Sequence, residues 1–449
     1  MKYAISDKES ALARECMDIA LREGADKVRL ALSKSVMNLI GILDGEIDKI
    51  TRCLDRSIDI TIFADGRFGV YSTNELKPDR IEDFIRKAVR TTRMLAPDEF
   101  RTLPERSRIC KGAINGNELE QLDGTLDSLS QEERIKTALG ASLHRRKPIK
   151  GGPKLISEEG EYSDEFTESL LLDSEGLCAR TSQTIFEYGV EITVQDEDGN
   201  RYSSFWWDSS TRFNKVKWKS IGKTAYIKAM QKANPRSRKS FRGKMVVDRC
   251  CASKLVKPIL SSLSAMSVQQ HNSFLEGKTG QKVFSEKLNI LNDPFHPGMI
   301  DTRLFDSEGV SVREFPIIEN GVPMQYFVNT YMSGKMGIPP TAEEAVAPLL
   351  KSTLPDGGDA AGLMKLCSEG LYVTSFNGGN YDPATGDFSY GIEGFYFKGG
   401  EIKYPVKEML VTGNYLSLWN NFCAAGSDAR PGNAKRIPSL AFENVDFNG

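Results

Sequence analysis

An α+β fold is the expectation for this 449-residue chain, and three observations carry it. Helix-start signatures stand far apart, with several strand-like runs between them joined by tight-turn dipeptides. The strict alternation of one strand with one helix that marks a parallel α/β sheet is missing. From Gly243 onward the chain reads as mainly strand. The expected layout is an N-terminal half of helix–antiparallel strands–helix units, which suggests a duplication, and a C-terminal mainly β domain with one central helix. The expected boundaries are residues 1–96 for a first domain, 97–125 for a linker, 126–240 for a central domain and 241–449 for the last.

The first helix opens where Ser6 and Glu9 form a capping box, a hydroxyl for the third backbone N–H and a carboxylate that reaches back. Ala11, Leu12, Ile19 and Ala20 lie on overlapping helical faces, and Gly24 is placed as the stop. Residues 27–33 alternate, with Val28, Leu30 and Leu32 on one side. Asp44-Gly45 and Asp65-Gly66 are hairpin signals between apolar runs. A second helix begins near Asp79, with Ile81, Phe84, Ile85, Ala88 and Val89 at three- and four-residue steps. Residues 97–125 lack periodicity and carry Pro97 and Pro104, so a surface linker is expected.

The order then repeats. Ser130 and Glu133 form another capping box, opening a helix to about Arg145. Strand candidates follow at 154–156, 168–172, 178–183, 184–195 and 201–207, with turns at Ser174-Glu175-Gly176 and Asp198-Gly199. A long helix from about Lys215 to Ala233 closes the unit at Asn234-Pro235. After the strand GKMVVD, Leu255, Ile259, Leu260, Leu263 and Met266 recur at helical spacing. Pro258 is tolerable there near the helix start or at a kink. Gly277 and Gly280 break that helix, and Val283, Leu288, Ile290 and Leu291 follow as a strand. Asn320-Gly321 separates FPII from MQYFV, and Gly399-Gly400 separates GFYF from IKYPV, both as hairpins. A short helix at 414–422 and a last strand, SLAFENVDF, complete the chain.

Forty per cent apolar and 27 % charged residues describe an ordinary globular protein, and a net charge of −2 selects no partner. No apolar run reaches membrane-spanning length, and the N-terminal MKYAISDKESALARECM is charged where an export signal would be apolar. The eight cysteines are scattered without a CxxC pair, which fits a reducing cytoplasm. With three histidines, His144, His271 and His296, a multi-histidine metal centre within one chain is not expected.

The run from Gly280 to Asp293, DSEGV at 306–310 and IIENGVPMQYFV at 317–328 resemble the C-terminal region of the TldD/PmbA family. FNGGNYDPATGDFSYG at 376–391, the run from Glu401 to Asn414 and the helix–strands–helix N-terminal unit resemble it too. In the TldD-type subunit the helix before this region carries a His-Glu-x-x-x-His zinc motif. Counting back from Gly280 without gaps puts Val256, Lys257 and Ser261 at those three positions. Valine cannot ligate, lysine is cationic, and serine is a poor zinc ligand. The resemblance is therefore to the TldE/PmbA type, the partner without the metal motif. It implies a cytoplasmic protein that works with a TldD-like zinc subunit in peptide hydrolysis, as a heterodimer, or that forms a homodimer. Zinc is then expected in the partner, and unfolded or short peptides are the expected substrates.

Other patterns compete. GKTG at 277–280 lacks the glycine five residues earlier that a phosphate-binding loop needs, since Asn272 stands there. His271 and Glu276, five apart, would fall on different faces of a regular helix. Asp356 and Asp359 lack the ligand spacing of a calcium loop. Residues 157–198 carry thirteen acids and one base, whereas 209–247 carry twelve bases and no acid, interleaved with Trp218, Phe213 and Phe241. Such a basic band, Lys215, Lys217 and Lys219 above all, either grips nucleic acid or is a solvated face that meets the acidic band. The gyrase-modulator label of the family keeps a non-enzymatic, nucleic-acid-binding or gyrase-binding regulator as the alternative. Asn377, Gly378, Gly379 and Asn380 form the candidate peptide-contact loop, with glycines that admit a close backbone and amides that read peptide groups, against the plainer reading of a turn.

Overall fold

The computed structural model describes every residue except 113, 114, 116, 145–152 and 433. The chain divides into two units. The first comprises Met1–Ala229 with Phe295–Val312 and Asn329–Ile338; the second comprises Met230–Pro294, Arg313–Val328 and Pro339–Gly449.

In the first unit α1 (Asp7–Arg22) starts at the expected box: Ser6 Oγ accepts from Glu9 N at 3.3 Å, and Ser6 N donates to Glu9 Oε2 at 2.8 Å. Strands β1 (Lys27–Leu43), β2 (Glu46–Ala64) and β3 (Arg67–Thr73) precede α2 (Pro78–Thr92), α3 (Thr125–Ser128) and α4 (Gln131–Ala141). Strands β4 (Lys154–Asp173), β5 (Cys178–Gln195) and β6 (Arg201–Ser210) then lead to α5 (Ile221–Gln231). All six strands form one antiparallel sheet in the order β3-β2-β1-β4-β5-β6. The alternation of β1 lays Val28, Leu30 and Leu32 on one face, where they pack with Ile58, Ile60 and Ile62 of β2 and with Ile81, Ile85 and Val89 of α2. The four expected hairpin turns sit at strand junctions, with Gly45, Gly66, Gly176 and Gly199 all at positive φ.

Several sequence expectations need correction here. The separate candidates at 154–156 and 168–172 are one twenty-residue strand, β4. Its apolar alternation is interrupted because Glu158, Asp164 and Glu168 occupy inward positions at 0 %, 0 % and 4 % exposure. The helix opened by Ser130 ends at Ala141, and Arg145, where it was expected to end, lies outside the described residues. The helix expected from Lys215 begins only at Ile221, after single 3-10 turns at Phe213–Lys215 and Trp218–Ser220. The described residues of 97–125 are largely irregular, yet Leu103, Leu119 and Gln121 are buried.

The second unit continues with β7 (Phe241–Val247), α6 (Ser253–Ser262), α7 (Ala265–Gln269), β8 (Ile290–Asn292), β9 (Phe315–Glu319) and β10 (Val322–Pro323). After α8 (Thr330–Met336), which belongs to the first unit, come β11 (Leu349–Leu350), α9 (Ala360–Cys367), β12 (Glu369–Tyr381) and β13 (Asp387–Lys398). The chain closes with β14 (Glu401–Asn414), α10 (Tyr415–Asn420), β15 (Phe422–Ala425) and β16 (Leu440–Asn448). The main sheet runs β14-β13-β12-β7-β16-β15, and β14 also pairs with β16 through Leu410↔Asn448, Val411↔Phe447 and Thr412↔Asp446. Strands β7, β12, β13, β14 and β16 therefore close into a barrel, with β7 and β12 its parallel pair.

The mainly β expectation holds for this unit, but α6 is not its single helix. The amphipathic stretch from Leu255 to Met266 is split at Leu263–Ser264 into α6 and α7, because Ser264 is extended with ψ 127. Pro258 lies inside α6, neither at its first turn nor at the break. The strand expected from Val283 is reduced to β8, and MQYFV lies outside β10.

Candidate functional site

Helix α6 is set by burial. Leu255, Val256 and Ile259 are fully buried against Met245, Val247, Phe274, Tyr415 and Trp419. Helical spacing then turns Lys254 and Lys257 outward, where both are exposed, with the half-buried Ser261 one turn further along the same stripe. The Lys254 ammonium stands 5.1 Å from the Tyr390 ring centre. Ser261 hydrogen-bonds the Tyr381 hydroxyl.

An aromatic cluster backs this stripe. Tyr390 and Tyr415 share a hydrogen bond of 3.0 Å between their hydroxyls. Ring centres lie 5.6 Å apart for Tyr381 and Tyr415, 5.0 Å for Phe388 and Tyr415, and 5.8 Å for Phe376 and Tyr390. Burial raises the Tyr381 and Tyr415 hydroxyls above the ordinary tyrosine range, so both stay protonated donors at neutral pH.

Asn377, Gly378, Gly379 and Asn380 are exposed but do not form a loop. They belong to β12, paired with β13 at Asn377↔Gly391 and Asn380↔Ser389, with a bulge between. Gly378 and Gly379 have φ of 63° and 74°. A Cβ on Gly379 would come within 2.0 Å of the Ser389 carbonyl oxygen, so the close backbone this glycine admits is that of β13. Asn377 accepts from Ser375 Oγ at 3.0 Å. It also bonds Glu393, which takes Lys232 Nζ at 2.8 Å. Burial works to raise the Glu393 carboxyl, but Lys232 and Asn377 outweigh it and hold the group below its ordinary value.

These groups offer ammonium and hydroxyl donors to a carboxylate or a peptide carbonyl. Helix α6, SKLVKPILSS, contributes no imidazole, thiolate or carboxylate, so its side chains do not fit a zinc ion. Among the described residues, no three His, Cys, Asp or Glu side chains gather where they could hold a metal. His271 and Glu276 do meet, at 2.9 Å, because the chain turns at His271 (φ 54°) instead of continuing as a helix. The pair is exposed, as a solvated histidine should be.

Lys215, Lys217 and Lys219 are all exposed. The nearby aromatic rings turn inward: Trp218 packs on Tyr162 at 5.5 Å and on Phe213 at 5.2 Å, and Trp218 Nε1 donates to Phe213 O at 3.1 Å. Phe241 stacks on Phe447. Arg212, Lys232, Arg242 and Lys244 of the basic band form ion pairs with Glu120, Glu393, Asp446 and Glu443. The acidic band supplies the buried carboxylates of β4, a role that charge counting could not reveal. Asp359, considered for a calcium loop, caps α9 by accepting from Gly362 N at 3.1 Å.

Residues 28–92, 124–233 and 241–449 match, in turn, domain 1, the central domain and the C-terminal domain of the PmbA/TldA metallopeptidases. The chain belongs to the PmbA/TldD family. A Bacteroides thetaiotaomicron structure described as a proposed modulator of DNA gyrase is 34 % identical, with a TM-score of 0.94 over 99 % of this chain and 100 % of that one. TldE from Thermococcus kodakarensis shares the fold at 19 % identity, with a TM-score of 0.82 over 98 % and 100 % of the two chains. The metalloprotease PmbA of Escherichia coli O157:H7 is 22 % identical over 90 % of this chain and 88 % of its own length. No helix among the described residues is long and apolar enough to cross a membrane.

Proposed function

We propose that this chain is the TldE/PmbA-type subunit of a zinc metallopeptidase and that a TldD-like partner supplies the metal and the water-activating glutamate. The observation that carries this reading is the outward stripe of α6, which is Lys254, Lys257 and Ser261 with Val256 turned inward. In the ungapped register, Val256, Lys257 and Ser261 stand where the zinc ligands and base of the partner type would be. A buried valine, a cation and a hydroxyl cannot ready a metal-bound water. What they can do is position a peptide. Lys254 and Lys257 attract its carboxylates, and the exposed bulge of β12 around Asn377 offers amides nearby in the same unit. Unfolded or short peptides are the substrates this reading implies. The matched order of the two strand trios about the β1–β4 pair supports the duplication of the helix–strands unit.

The test is co-expression with a TldD-type chain, followed by metal analysis and a peptide-cleavage screen. Two chains with about one zinc per pair, and activity abolished by a chelator, are expected. Peptidase activity from this chain alone that a chelator does not touch would overturn the reading. DNA retention that falls when Lys215, Lys217 and Lys219 are neutralised would favour the regulator instead.

A further inference from the structure

Cys367 is the last residue of α9, and Cys423 stands on β15. Strand register brings them together. Val246 of β7 pairs with Ala441 of β16, which pairs in turn with Ala424 of β15. Helix α9 packs on this row through Leu363, Met364 and Cys367. Cys423 is the extra residue of the bulge between the Phe422↔Phe442 and Ala424↔Ala441 pairs. A bulge re-aims the side chain it carries. Here the side chain packs against the same cluster, and its thiol hydrogen-bonds the thiol of Cys367.

Exposure divides the pair. Cys367 is 3 % exposed, whereas Cys423 is only half-buried. A buried thiol by itself is a small apolar filler. Two thiols in contact, one of them open to solvent, make a redox couple: the open sulfur can meet an oxidant and the closed one can resolve the product. Charge favours this. Lys244 and Glu443, an ion pair at 3.9 Å, stand next to the thiols. The hydrogen bond from Cys423, aided by the Lys244 ammonium, outweighs burial and the Glu443 carboxylate and holds the Cys367 thiol below its ordinary value. The proton of an S–H···S bond can sit on either sulfur, so the pair can present its thiolate at Cys423.

We propose that Cys367 and Cys423 form an oxidation site that a peroxide closes to a reversible disulfide. The Cys423 sulfur attacks one peroxide oxygen; the O–O bond breaks, and hydroxide leaves with the thiol proton as water. The Cys367 sulfur then attacks the sulfenic sulfur; the S–O bond breaks, and a second water carries off the hydroxyl and the Cys367 proton. The two thiols lose two electrons and two protons, and the peroxide becomes two waters. The bond ties the end of α9, and with it the start of β12 at Glu369, to β15. The inference does not rest on the peptidase reading, because it uses no residue of the α6 stripe.

The test treats the purified full chain with hydrogen peroxide, alkylates the remaining thiols and maps the peptides by mass. A Cys367–Cys423 linked peptide within single chains, lighter by two hydrogens and released by dithiothreitol, is expected. Cys423→Ser should abolish the link, whereas replacing the exposed Cys53 by Cys53→Ser should leave its rate unchanged to within about twofold. Melting curves check that each variant folds, and the map of the unaltered chain needs no variant. Linkage of either cysteine elsewhere, a bond only between chains, sulfinic acid at Cys423 without a bond, or two intact thiols while Cys53 is oxidised would overturn the proposal.

Discussion

On β4 of the first unit four carboxylates are buried, and three of them, Glu158, Asp164 and Glu168, are met by donors from distant parts of the chain. Asp164 takes Arg134 Nε at 2.6 Å, Tyr162 Oη at 2.7 Å and Asn38 Nδ2 at 2.8 Å. Glu158 takes Ser142 Oγ at 2.8 Å and the N–H groups of Leu143 and His144 at 2.7 and 2.9 Å. Glu168 takes the N–H of Ile5 just ahead of α1 and lies 3.8 Å from Arg180. The main core of the second unit is filled instead by rings, Trp419, Tyr390, Tyr415, Phe442 and Phe447. The difference concerns how position is specified. A charged anchor fixes one rotamer and one register, whereas packed rings define a volume and tolerate substitution by shape.

The contrast is broken most strongly at Asp164. Asp164→Ala leaves the Arg134 guanidinium, 11 % exposed, without its carboxylate and should cost about 3–5 kcal/mol. Hydrogen exchange should show the loss in α4 and β4 while barrel amides stay protected. Trp419→Ala should cost about 3–5 kcal/mol in the barrel through the cavity it leaves. Trp419→Phe should cost far less, because the indole N–H has no acceptor among the described residues and no hydrogen bond is lost. Denaturant melts of both variants check this pair.

Acid sharpens the contrast more gently. Asp123 is pushed up by burial, but bonds from Thr125 and from the Phe213 N–H, with Arg212 nearby, hold it below its ordinary value. Glu393 is held low by Lys232 and Asn377 against the same opposing effect. A carboxyl depressed in the folded state stabilises it fully above the unfolded-state pKa and loses that contribution as pH falls through the folded one. Both units should therefore weaken on acidification below the ordinary carboxylate range, and Asp123→Asn should flatten the response of the first unit alone in a pH series of melts. The smallest effect is expected at a helix cap: Ser130→Ala should cost about 1 kcal/mol, read as a shift in melting temperature.

Local signals survived best in passing from sequence to structure. The boxes at Ser6 and Ser130 and the glycines of the hairpin turns act within four residues, so their meaning needs no partner. The length of β4 did not, because Glu158, Asp164 and Glu168 look like solvent-facing acids until Arg134, Ser142 and Ile5 are in place. Barrel closure rests on Val411 meeting Phe447, a pairing that no local pattern announces. At the candidate site, the outward placement of Lys257 and the burial of Val256 follow from helical spacing. At Gly379 the close neighbour is the Ser389 backbone, which only the strand register reveals.

The closing pair of the barrel has a consequence for biosynthesis. Strand β16, Leu440–Asn448, lies between β7 and β14. The first unit likewise takes in segments up to Ile338. During translation the first unit cannot be completed before Ile338 has emerged, and the barrel cannot close before β16 has. A ribosome stalled ahead of β16 would hold β7 and β14 with open flanks, ready to capture the wrong strand.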